Sequence, residues 1–223
     1  MPDLTTDYWR FIALKESYPG PAATLEISAS WREQLPTRVS ESGRLLQEAL
    51  SSAKSILDVG AGNRLYQNVF RDLGITGDYY SADLDTSFDH DYRDFLKIEN
   101  RRFDAITMFE LIEHMDVADG LRFMEHALTL LSPNGRLVIS TPNAHHPNHV
   151  WRVEVTHVRP WPAPDLYGAL RLVGFPDVVI YRQYIRLTGP KAIALEPVRK
   201  GLYRLMGLDY AQGIFAIAAS RNH

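Results

Sequence analysis

Apolar residues recur along this chain with two periods, and the switches between them outline alternating strands and helices. Residues Ser55–Val59 read as a short buried strand that runs straight into Gly60-Ala61-Gly62. Leu65, Tyr66, Val69, Phe70 and Leu73 then repeat at helical spacing until Gly74 stops the helix. Further apolar runs predict strands at 79–82, 103–108, 136–140, 178–184 and 215–219, with helices between them. One of these helices spans 117–131 and is terminated by Ser132-Pro133-Asn134-Gly135. An earlier helix is expected around 38–53, with Val39, Leu45, Leu46, Ala49 and Leu50 facing inward. Such alternation predicts an α/β fold, a mostly parallel sheet covered by helices on both faces.

With 223 residues the chain can bury a full core in one domain and still carry a lid. Residues 1–52 stand apart as a helical lid or substrate segment, with Tyr8, Trp9, Phe11, Ile12 and Leu14 clustered before the break at Gly20-Pro21. The core is expected over 53–223, with an insertion at about 187–212. A hydrophobic content of 45% and a charged content of 23% are ordinary for a soluble protein and leave this picture unchanged. The net charge of −3 does change it, because broad nucleic-acid binding needs a basic surface. Cysteine is absent, so neither a disulfide framework nor a thiolate metal site can form. The opening residues show no basic region followed by an apolar run, so no secretory signal is expected. No apolar run approaches the roughly 18 residues of a membrane span. A cytoplasmic location is the expectation, and the sequence leaves the oligomeric state open.

A strand, a glycine turn and a helix, in that order, form a cradle for a nucleotide-like cofactor, since a Cβ at the turn would take the ligand's place. A nicotinamide fingerprint needs a third glycine three residues beyond Gly62. Leu65 stands there, and no glycine follows before Gly74.

Four more segments follow Leu57-Asp58-Val59-Gly60-Ala61-Gly62 in order. They are Phe103-Asp104-Ala105-Ile106 with Glu110-Leu111-Ile112-Glu113-His114-Met115, the run Leu130 to Asn143 through Ser132-Pro133-Asn134-Gly135, His157-Val158-Arg159-Pro160-Trp161, and Leu172-Val173-Gly174-Phe175. Over about residues 54–184 this arrangement resembles the class I S-adenosylmethionine-dependent methyltransferases. The resemblance implies a doubly wound, Rossmann-like sheet of seven mostly parallel strands with one antiparallel edge strand, residues 215–219, inserted beside 178–184. It departs from the family pattern at Arg64, where a third glycine is common, and at Asn134, which replaces the usual glycine of a Pro-Gly-Gly turn. Arg64 would either narrow the pocket mouth or contact the methionine carboxylate.

S-adenosylmethionine is the implied cofactor. Asp58 would reach its amino group, Gly60 and Gly62 would cradle it, and Asp83 would accept its ribose hydroxyls, with Asp85 as competitor. Asp94 would face the adenine amino group with Phe95 beside the ring. Phe109 would either touch the methionine end or pack in the core.

Methyl transfer from a sulfonium is an in-line displacement, so donor and acceptor must be aligned, water excluded and a hydroxyl nucleophile deprotonated. Glu110, Glu113, His114 and His157 are the candidate catalytic groups after the fourth and fifth strands. If a helix begins at Glu110, then Glu110, Glu113 and His114 share one face and, with His157, suit a divalent metal. That arrangement resembles the metal-dependent small-RNA terminal 2′-O-methyltransferases and some quinone-precursor O-methyltransferases. The other reading has Glu113-His114 capping the helix and bracing the loop of His157. His145, His146 and His149 form a second group, as base, substrate contact or simply solvated. Trp151 and Trp161 either line an acceptor pocket or pack.

On the substrate side, Tyr8, Trp9, Phe11 and Trp31 are candidates to close over the donor. The insertion carries Lys191, Arg199, Lys200 and Arg204 beside Val198, Leu202 and Leu205. Such a face grips an anionic group, lies at a dimer or membrane surface, or is solvated. The expected activity is methyl transfer to a small-molecule or carbohydrate-like acceptor, at oxygen. The alternatives are a metal-dependent RNA-terminal 2′-O-methyltransferase and a cofactor-binding partner protein without turnover.

Overall fold

A computed structural model of the chain describes all residues except 1, 3, 5, 28–39, 153, 186–189 and 222–223. Seven strands form one sheet in the order β1-β6-β7-β5-β4-β2-β3. They are β1 (Thr24–Ile27), β2 (Ser55–Val59), β3 (Asp78–Ala82), β4 (Phe103–Phe109), β5 (Leu131–Pro142), β6 (Asp177–Ile185) and β7 (Gly213–Ala219). Only β7 runs against its neighbours, pairing antiparallel with both β5 and β6. The doubly wound, mostly parallel architecture is therefore as the sequence predicts.

The antiparallel strand, however, is not at the edge. It lies beside β6 as expected but one place in, because β1 pairs in parallel with the far side of β6. The physical reason is visible in its composition. Ile214, Ala216 and Ala218 pack into the core on one face of the sheet and Phe215 into the core on the other. A strand buried on both faces belongs in the interior. The seventh strand comes from the segment expected to be helical, and its four residues are too few to show a period.

Helices α1 (Tyr8–Glu16), α2 (Glu41–Leu50), α3 (Leu65–Asp72), α4 (Val117–Leu130), α5 (Ala163–Val173) and α6 (Pro190–Met206) complete the fold. On one face α4 and α5 bury Leu121, Met124, Leu166 and Leu170 against Leu57, Ile106 and Leu137. On the other, Leu46 and Leu50 of α2 and Phe70 of α3 meet Ile56, Val138 and Phe215. Helix α2 starts at a cap, Ser40 Oγ accepting from Gly43 N at 3.1 Å, so the expected start at 38 is early by three residues. Helix α4 is capped by Asp116, whose Oδ1 accepts from Asp119 N at 2.8 Å. It ends at Leu130, and β5 begins at Leu131 with no intervening loop. The expected terminator therefore lies inside β5, where the ladder with β4 shifts register and Asn134 takes φ of 61°. Among the described residues no helix is long and apolar enough to cross a membrane.

Candidate active site

The glycine turn follows β2 with φ of +73° at Gly60 and +49° at Gly62, conformations that favour glycine. A Cβ at Gly60 would lie 2.7 Å from Leu111 Cδ1, so this glycine also admits the chain leaving β4. Nothing lies within 4 Å of the Cβ position at Gly62, and the turn faces open space there. The Gly62 N–H donates to Asp83 Oδ2 at 2.7 Å, and Asp83 Oδ1 accepts from Asp85 N at 2.8 Å. A carboxylate accepts about four hydrogen bonds, so Asp83 keeps capacity for hydroxyl donors. Asp85 is exposed and faces Ser87, whose hydrogen bonds hold its carboxyl below the usual range. Of the two competing carboxylates, Asp83 is the one joined to the turn. Leu84, immediately after it, is 76% exposed. An apolar side chain held in solvent at the rim of this turn was missed, although its place between two strand-end carboxylates is a signal.

Asp58 is buried, with Oδ2 accepting from Tyr79 Oη at 2.7 Å and Oδ1 from Thr107 Oγ1 at 2.9 Å. Burial raises its carboxyl to about 6, against the opposing pull of those two hydroxyls. Both its oxygens are thus engaged inside the sheet, each with one hydroxyl donor. Thr107 sits opposite Asp58 in the β2–β4 ladder, a pairing that only the register reveals. Phe95 is in the core against Phe123 and His126, with no face turned to a cofactor. Asp94 caps the short 3-10 turn at Phe95–Lys97 and pairs with Lys97 at 3.1 Å. Phe109 packs between Tyr66 and Phe215, the core alternative. Arg64 takes φ of 60°, and its guanidinium donates to Asp89 O at 2.9 Å and lies 5.4 Å from the Tyr79 ring centre, along the flank of β3.

Three of the four catalytic candidates come together. Ligand atoms of Glu113, His114 and His157 lie within 4.8 Å of one another. Glu110 does not join them. The chain leaves β4 in a left-handed step at Glu110, φ 49°, and then makes a 3-10 turn at Ile112–His114. The face-sharing of a regular helix is therefore lost, and Glu110 Oε1 accepts from Ser140 Oγ at 2.7 Å. Glu113 is 1% exposed. Its Oε2 accepts from Thr141 Oγ1 at 2.9 Å, while its buried Oε1 has no hydrogen-bond partner. Burial first, and the nearby Glu110 second, push its carboxyl well above the usual range. Nδ1 of His114 lies 3.1 Å from Thr156 O, and Nδ1 of His157 lies 2.5 Å from Trp151 O. A carbonyl only accepts, so both rings donate from Nδ1 and leave Nε2 as the nitrogen available to a ligand. His157 Nε2 also lies 3.6 Å from the exposed Glu154. The bracing expected of Glu113 is made by its backbone carbonyl, which accepts from Val158 and Arg159 N–H. The helix cap falls to Asp116.

The remaining candidates divide. His146 is buried, with its Nδ1 accepting from Asn148 N, whereas His145 and His149 are exposed. Trp161 is a brace, buried against Gly120 with Nε1 donating to Ile112 O at 2.9 Å. Trp151 contributes the carbonyl that orients His157. Phe11 is docked on α5, while Tyr8 and Trp9 are exposed. Trp31 lies outside the described residues.

A family model described as "Methyltransferase domain" matches residues 31–179. The ubiquinone biosynthesis O-methyltransferase of Coxiella burnetii is 29% identical over 122 residues, covering 48% of this chain and 51% of that protein. The chain thus spans about half the length of the curated relatives it matches. Among solved structures, a SAM-dependent methyltransferase from Archaeoglobus fulgidus aligns with a TM-score of 0.63 at 17% identity, over 79% of this chain and 90% of that one. An O-methyltransferase family protein from Burkholderia thailandensis aligns with a TM-score of 0.55 at 15% identity, over 81% and 55%. With its sheet, its glycine turn and a family match across most of its length, the chain belongs to the methyltransferase-domain family, among the class I S-adenosylmethionine-dependent enzymes.

Proposed function

We propose that this protein methylates a hydroxyl of a small-molecule or carbohydrate-like acceptor in the cytoplasm, and that Glu113, His114 and His157 hold a divalent cation at the acceptor. The observation that carries the reading is the orphaned, buried Oε1 of Glu113 beside two imidazoles whose Nδ1 atoms are held by carbonyls. An unpaired buried carboxylate oxygen costs free energy that a cation or a proton offsets. Imidazoles fixed through Nδ1 are the arrangement metal-binding histidines adopt.

Bound S-adenosylmethionine supplies a methyl group on a sulfonium for in-line displacement. Gly62 leaves room for it while Gly60 admits Leu111 beside the turn, and Asp83, bonded to the Gly62 amide, would accept from its ribose hydroxyls. Leu84 offers an apolar rim for the base. Glu113, His114 and His157 would hold the cation, which would supply Lewis acidity to favour loss of the acceptor hydroxyl's proton. Thr141 and the carbonyls of Thr156 and Trp151 keep the three ligands in place, and burial of Glu113 keeps water from competing. Glu110, held by Ser140, adds negative charge beside the cluster. The O-methyltransferase relative from Coxiella burnetii supports oxygen as the acceptor atom.

Calorimetric titration with S-adenosylhomocysteine tests the cofactor half, and absence of heat with folded protein would end it. For the cation half, activity is expected to vanish in excess EDTA and return with manganese or magnesium; full turnover in chelator would remove it. A second reading, an RNA-terminal 2′-hydroxyl as acceptor, is favoured by the same Glu-His-His cluster and opposed by the net charge of −3. Retention of short RNA on nitrocellulose separates the two.

A further inference from the structure

A cavity of about 370 Å³ lies where α6 passes over the edge formed by β1 and β6. Arg182 enters it from β6, and Arg199, Lys200 and Arg204 from α6, with Tyr203 and Tyr210 among its walls. Among the described residues that line it, none is acidic. Asp209 stands behind Arg182, accepting from its Nε at 3.0 Å and its Nη2 at 2.5 Å, and fixes that guanidinium. Arg182 lies 3.8 Å from the Tyr203 ring centre and Arg199 lies 5.3 Å from that of Tyr210. Arg182 gives its Nε and Nη2 N–H groups to Asp209, whereas a guanidinium stacked on a ring, as Arg199 is on Tyr210, can turn its in-plane N–H groups to an oxyanion. Asp209 offsets the charge of Arg182, and Arg199, Lys200 and Arg204 leave the cavity with a surplus of positive charge that suits a dianion better than a single negative charge.

The cavity is joined to the transfer site. Arg182, Ile214 and Thr141 form one row across β6, β7 and β5, and Thr141 is the donor to Glu113. Two strand spacings put these ends of the row about 10 Å apart. The wall is also tied to the chain leaving β5. Asn143 Nδ2 donates to Ala211 O at 2.8 Å, and the His146 ring meets that of Tyr210 at 6.0 Å.

From this geometry we infer that the cavity binds the phosphomonoester end of the methyl acceptor, two strand spacings from Thr141, the donor to Glu113. The inference rests on the small-molecule reading above. A dianionic phosphate meets the guanidinium edges and the Lys200 ammonium, and an attached ring or sugar lies against the tyrosines.

The test is calorimetric titration of the full chain with phenyl phosphate, inorganic phosphate and benzoate at matched ionic strength. Phenyl phosphate is expected to saturate, more tightly than inorganic phosphate because its ring meets Tyr203 and Tyr210, with benzoate weaker by about tenfold. The double variant Arg199→Gln, Arg204→Gln is expected to weaken phenyl phosphate by about tenfold or more while keeping its S-adenosylhomocysteine affinity and melting temperature. If that variant does not fold, Arg204→Gln alone is expected to weaken it about threefold. Absence of saturation, benzoate binding as tight, an unchanged affinity in a folded variant, or short RNA binding that phenyl phosphate does not displace would each overturn the inference. Loss of S-adenosylhomocysteine binding in the unaltered chain would strike the proposed function instead and leave the phosphate result readable.

Discussion

Arg64 and Asn134 both adopt positive φ, 60° and 61°, and both stand where glycine is usual in the family the sequence resembles. The backbone at these points is left-handed whatever side chain it carries, and a non-glycine residue there is strained by about 1–2 kcal/mol. Asn134 is exposed and tolerates the conformation, being one of the few side chains that does. Asn134→Gly is therefore expected to leave stability unchanged within a few tenths of a kcal/mol, and Asn134→Ala to lose about 1 kcal/mol in urea unfolding. Asp58 yields a pH prediction. Its folded value of about 6 lies above the 3.8 of an unburied aspartate, so the fold favours the protonated form. Its contribution is complete below pH 3.8, declines as pH rises and is gone above about 6, a span of about 3 kcal/mol. Unfolding free energies measured across that window are expected to fall for the natural chain and to fall less steeply for Asp58→Asn, the remaining slope coming from the raised Glu113. For Asp83→Asn, titration with S-adenosylhomocysteine is expected to show affinity reduced by about tenfold or more, since ribose hydroxyls lose a charged acceptor.

Helix α1 shows what an element gains from a glycine on its neighbour. Gly168 of α5 brings Phe11 and Lys15 so close that a Cβ would sit 3.1 Å from each side chain, and Lys15 pairs with Asp165. Phe11 is thereby part of the core rather than a lid over the donor. Phe11→Ala is expected to cost about 3 kcal/mol in denaturant unfolding and to leave S-adenosylhomocysteine affinity unaltered. A loss of cofactor affinity at unchanged stability would restore the lid reading. The exit from β4 has the opposite history. Glu110-x-x-Glu113-His114 has helical spacing, but the left-handed step at Glu110 and the 3-10 turn after it aim Glu110 at Ser140 and Glu113 at Thr141. Periodicity reports side-chain spacing only where the backbone is regular, so the strand-end turn was the least legible part of the site.

At the scale of the whole molecule, the Glu113 cluster exists because the chain after β5 returns, with His157 four residues before Trp161, and docks on the β4 exit. Val158 and Arg159 N–H to Glu113 O and Trp161 Nε1 to Ile112 O pin the two segments together. If the cluster holds a cation, manganese at about 100 times its Kd is expected to add about 2.7 kcal/mol of stability, read as a melting rise of about 5 °C or more. Glu113→Gln is expected to abolish that rise and His145→Ala, an exposed position, to leave it intact. No rise in the natural chain would return Glu113 to the protonated, metal-free state. Asp94 caps a 3-10 turn and Phe95 packs in the core, a placement the sequence did not show because an isolated Asp-Phe pair after a strand looks the same whether it faces a ligand or caps a turn.

Local sequence by itself determined the alternating elements, the glycine turn, the acidic tip of β3 and the family, because each depends on periodicity or on a backbone conformation that only certain residues adopt. Tertiary structure decided what those elements meet. It set β1 outside β6 and β7 in the interior, engaged Asp58 with Thr107 across the sheet, excluded Glu110 from the cluster and brought His157 to it from 44 positions along the chain from Glu113. Those outcomes depend on register and on chain return, which couple residues far apart in sequence and leave no period to read.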